Sequence, residues 1–80
     1  MNKWIKSIDG TLYNFSRITT LWWSSNVSAT SDYKFELHIK GTDFADTVCK
    51  CSTESDKMMI ISKLEEFIKS DERLLVFPKL

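Results

Sequence analysis

Tyr33-Lys34-Phe35-Glu36-Leu37-His38-Ile39-Lys40 is the stretch on which the fold reading turns. Apolar and polar residues alternate strictly. A period of two is that of a strand with one face buried and one face wet. Phe35, Leu37 and Ile39 therefore need a cover, and Lys34, Glu36 and His38 face solvent. The cover is supplied further along. Ile60, Ile61, Leu64, Phe67 and Ile68 recur at the spacing of an amphipathic helix, and Met58 and Met59 widen the stripe. Thr53 is the expected N-cap, with Asp56 three residues on. The helix is predicted from about Thr53 to Lys69.

Working outward, Gly41-Thr42-Asp43 reads as a turn. Phe44 or Asp46 to Cys51 reads as a strand paired back onto the first. Lys50 should be wet, which sends Thr47, Cys49 and Cys51 inward and leaves Val48 on the outer face. Upstream, Ser24 to Asp32 is small and polar and predicts a mobile loop. Ile18 to Trp23 is rich in β-branched and aromatic residues and predicts a strand. Asn14 to Arg17 reads as a bend or bulge. Asp9-Gly10 lies between the strand formers Trp4–Ile8 and Thr11–Phe15. It predicts a tight hairpin of type I′, in which both central residues have positive φ. The end, Leu74 to Leu80, is open between a helical extension, an edge strand and an extended tail. Pro78 favours extended geometry at Phe77.

These readings combine into one small soluble α+β domain over residues 1–80. Its expected architecture is a four- to five-stranded antiparallel meander sheet over about residues 3–51. One C-terminal helix packs on one face, and an apolar tail follows over 74–80.

Composition narrows the function classes. A chain of 80 residues buries only about 60–65% of the surface its unfolded form exposes. A deep catalytic cleft is hard to fit in such a core. Eleven basic residues balance eleven acidic ones, so the basic stripe of a phosphate-binding surface is missing. Nucleic acid is therefore an unfavoured partner. No apolar run approaches the ~20 residues that span a membrane. Met1 to Ser7 lacks the features of a signal peptide. Asn26-Val27-Ser28 is read as a chance sequon.

Cys49 and Cys51 stand two apart. On a strand that spacing puts them about 6.5 Å from each other, a poor distance for a disulfide. Free thiols and a cytoplasmic location are expected. His38 with these two cysteines is the one metal set the chain offers. By alternation His38 is wet while the cysteines face inward, so no metal and no cofactor is expected. One histidine, no nucleophile elbow and no phosphate loop leave no catalytic constellation either.

Partner binding remains. Trp22 and Trp23 are neighbours on a strand, so one points outward. Lys34, Glu36 and His38 line the wet sheet face. Leu75 and Phe77 belong to an apolar tail that needs docking or a partner. These seven residues are the candidate contact set, for another protein or a second copy. The hairpin segment Trp4–Asn14 followed by a closing amphipathic helix resembles the layout of many short bacterial and prophage proteins. That resemblance implies protein binding, such as inhibition of a host protein, and no activity. The leading expectation is a non-enzymatic interaction or regulatory module. Single-stranded nucleic-acid binding through sheet aromatics is second. A small enzyme or a dimeric structural protein is third.

Overall fold

The computed structural model describes residues 2–25 and 33–79. The strands are Trp4–Lys6 (β1), Leu12–Asn14 (β2), Ile18–Ser25 (β3), Phe35–Gly41 (β4), Ala45–Cys51 (β5) and Leu74–Val76 (β6), with one helix, Glu54–Lys69 (α1). The fold is α+β, but the single meander sheet does not form. Two separate three-stranded sheets do. The terminal sheet has the order β2-β1-β6, and the central sheet the order β3-β4-β5.

The break between them is local chemistry. The Asn14 side chain accepts from Ser16 N at 3.0 Å and caps a single 3-10 turn over Phe15–Arg17. That turn ends β2 and redirects the chain, so β3 leaves without pairing to it. The other edge of β1 is then filled by β6, the last segment of the chain. Trp4, Ile5 and Lys6 pair in parallel with Leu74, Leu75 and Val76. Parallel pairing requires a long crossover, and the central sheet and helix supply it. The terminal sheet is thus mixed: β1 runs antiparallel to β2.

The Asp9-Gly10 hairpin also forms differently. Among the described residues only Gly10 has positive φ, at 92°. Asp9 does not, which excludes type I′. The loop instead has three residues, Ile8-Asp9-Gly10, closed by Ser7 N–H to Thr11 O at 2.9 Å and Gly10 N–H to Ser7 O at 3.0 Å. Glycine takes the left-handed position at its end. The Asp9 carboxylate accepts from the Ser7 hydroxyl and from Thr11 N. Those bonds hold its carboxyl below the usual carboxylate range, the Ser7 hydroxyl contributing most.

A bulge overturns the facing of β5. Leu37 pairs with Cys49, but His38 pairs with Thr47. Val48 is the extra residue, and the alternation flips across it. Val48, Cys49 and Cys51 are all buried. Thr47 goes outward with His38, the reverse of the expectation for both Thr47 and Val48.

Helix α1 starts where capping chemistry dictates. Asp56 N donates to Thr53 Oγ1 at 3.1 Å. At its other end the Lys3 ammonium donates to Phe67 O and, at 2.6 Å, to Ser70 O. A cation there meets the negative end of the helix dipole. The apolar stripe is narrower than expected. Ile60 and Phe67 are buried and Leu64 is half-buried, while Met58, Met59 and Ile68 are exposed. Ile60 and Phe67 join Ile5, Leu37, Ile39 and Phe77 in one core cluster shared by both sheets. The predicted loop falls mostly outside the described residues, at 26–32; Ser24 and Ser25 belong to β3.

Candidate functional site

Each sheet turns one face to the core and the other to solvent. The two outer faces are built very differently.

On the central sheet, register brings three of the expected contact residues together. Trp22 pairs with His38, and Ser24 with Glu36. The Trp22 and His38 rings lie 5.3 Å apart and tilted by 31°. The imidazole is bonded at both nitrogens: Nε2 to Ser24 Oγ at 2.6 Å and Nδ1 to Thr47 Oγ1 at 2.9 Å. Hydroxyls donate or accept, so they serve either tautomer. Glu36 and Lys50 form an ion pair at 3.7 Å. The Lys50 ammonium also stands 5.9 Å from the Tyr33 ring centre. A shallow hollow of about 340 Å³ lies against Trp22, His38 and Thr47. The Ser24–His38 contact is within the reach of a nucleophile and base.

The other expected residues do not join them. Lys34 is exposed just before β4, with its backbone N–H bonded to Cys51 O at 3.1 Å. Trp23 turns inward, packs against the core and lies beneath the Lys57 ammonium of α1, at 5.6 Å. Leu75 is half-buried against the core, and Phe77 is 3% exposed. The tail therefore docks within its own fold. His38 and the cysteines are on opposite faces of the central sheet. Burial pushes the Cys49 thiol up to about 11 and raises that of Cys51 as well. Both thiols are free.

The outer face of the terminal sheet was missed by sequence reasoning. Ile5 points inward, so Trp4 and Lys6 point outward. Their register partners Leu74, Leu12 and Val76 share that face. Trp4 is 39% exposed, Leu12 54%, Leu74 49% and Val76 54%. Lys6 sits between Leu12 and Val76. Among the described residues no carboxylate lies within ion-pair distance of it. The signal was available in the alternation of the tail. Leu75 and Phe77 share one phase, Leu74 and Val76 the other. Only the partner strand settles which phase is wet.

At the β2 edge this face runs into a pocket of about 400 Å³ lined by Trp4, Leu12, Tyr13 and Phe44, with Arg17 and Asp43 also in its wall. The Tyr13 and Phe44 rings lie 5.3 Å apart. Gly41 makes room for Phe44: a Cβ there would overlap its ring and stand 2.7 Å from Arg17 O. The Tyr13 hydroxyl donates to the Asp46 carboxylate and so ties β2 to β5. Burial, and then that bond, pushes the phenol up to about 12. Among the described residues no helix is long and apolar enough to cross a membrane. No protein family, no curated protein and no solved structure matches the chain.

Proposed function

We propose that this chain is a small, non-enzymatic protein-binding module whose contact surface is the outer face of the terminal sheet. One observation carries the reading. Trp4, Leu12, Leu74 and Val76 are exposed together on one face, in register across three strands. An exposed contiguous apolar patch is a recognised mark of an interaction site, and Trp is enriched among residues that dominate binding. The adjoining pocket gives a partner side chain a place to anchor. The buried, free thiols fit a reducing, cytoplasmic setting.

The test is affinity capture with the full chain from a native lysate, followed by reconstitution of the complex from purified proteins. A partner held by the wild type should be lost with Leu12→Ser combined with Val76→Ser, and kept with Trp22→Ala. Capture indifferent to the double substitution removes the reading.

Single-stranded nucleic-acid binding is the second reading, and the Trp22–His38 ring pair on the central sheet favours it, since bases stack on such rings. Filter binding of a short oligo-dT at low salt checks it. Retention abolished by Trp22→Ala would move the site to the central sheet.

A further inference from the structure

We infer that the partner of the terminal sheet is an apolar protein segment carrying a carboxylate, which seats over Lys6. This rests on the contact surface proposed above and adds the partner's chemistry to it.

Charge identifies the occupant. The outward positions of β1, β2 and β6 are Trp4, Lys6, Leu12, Asn14, Leu74 and Val76. Lys6 is the single charge among them, and it lies on the central strand with apolar neighbours on both sides. The adjoining pocket carries Arg17 and Asp43, one charge of each sign, and contributes no net bias. The surface therefore presents a cation ringed by apolar side chains. A purely apolar partner would strip water from that ammonium and leave it unpaired, which is costly. A carboxylate placed over it offsets that cost with a charge-assisted hydrogen bond. A second copy docked face to face about an axis through Lys6, the centre of the patch, would bring two Lys6 ammoniums together, which is unfavourable. Charge thus selects a different, acidic chain over self-association.

The experiment is a selection of displayed random peptides of about 12 residues on the full-length protein, with affinities then measured for the synthetic peptides. The expected peptides combine Leu, Ile, Phe or Trp with Asp or Glu. Lys6→Glu should weaken them roughly fivefold or more, Lys6→Gln by less, and a fresh selection on Lys6→Glu should enrich Lys or Arg instead. Leu12→Ser with Val76→Ser should abolish binding, and Trp22→Ala should leave it unchanged.

Three failures are distinguishable. Peptides that are lost with the Leu12/Val76 substitutions but vary within about twofold on Lys6→Glu overturn the acidic partner and leave the contact surface standing. Peptides indifferent to Leu12 and Val76, or no selected peptide at all, overturn both. A concentration-dependent dimer in sedimentation, dissolved by Val76→Ser, gives the surface to a second copy and overturns the acidic partner.

Discussion

The outer faces of the two sheets are equal in strand number and opposite in character. On the central sheet the outward Glu36, His38 and Lys50 meet polar or ring partners within the face, while Lys40 at the end of β4 is exposed and in no described ion pair. His38 is bonded at both nitrogens and stacked on Trp22, and Glu36 is paired with Lys50. The terminal sheet differs. Four large apolar side chains surround a lysine that no described carboxylate meets. A face that closes its own hydrogen bonds needs nothing from outside. A face that leaves apolar area wet gains free energy when something covers it, provided that its charge meets a partner. The exposed tryptophan of the central sheet is therefore a weaker functional signal than the less conspicuous Trp4.

This contrast can be broken from within. Phe77 is the buried anchor that follows β6, and its N–H bonds to Lys6 O at 3.0 Å. Phe77→Ala should destabilise the fold by about 3–5 kcal/mol, read by urea unfolding. With β6 loosened, the terminal face should lose binding as well.

Substitutions on the faces should separate them. His38→Ala removes two hydrogen bonds and a ring contact from the central face and should cost about 1 kcal/mol. Leu12→Ser with Val76→Ser removes only exposed side chains and should stay within about 0.5 kcal/mol of the wild type. The ranking would be reversed if the terminal face were structural and the central one functional. Thermal melts of the two variants decide it.

The last effect concerns the link between the sheets and shows only at high pH. Tyr13 has its phenol raised from 10.0 to about 12. A folded value above the unfolded one means the neutral form is favoured in the fold. Its contribution is complete below about pH 10 and fades as pH rises towards 12. Tyr13→Phe should flatten that part of a stability-against-pH curve measured by denaturant midpoint. An unchanged slope would show that the Tyr13–Asp46 link contributes nothing.

Much of this was legible in the chain. The alternation of Tyr33–Lys40, the cap at Thr53 and the helix period each depend on neighbours a few residues away, and each element formed within a residue or two of its expected bounds. Of the seven candidate contact residues, Glu36 and His38 share a face because strand alternation is a local rule, and Trp22 joins them through the pairing of β3 with β4. The facing of Thr47 and Val48 was not legible, because a bulge shifts the phase without any strong mark in composition. Trp23, Leu75 and Phe77 turned inward for a related reason: each belongs to or directly follows a strand with two apolar phases, and only a packed neighbour makes one of them dry.

Element type and helix boundaries, then, follow from backbone geometry and capping, which act over a turn or a pleat. Strand partnership does not. That β6 would travel the length of the chain to lie parallel to β1, and so expose Trp4, Leu12, Leu74 and Val76 around Lys6, depends on long-range burial of Ile5 and Phe77 in one core. Pairing energies are nearly the same for any compatible edge, so the choice is made by which arrangement closes the core, and that is a property of the whole chain packed at once.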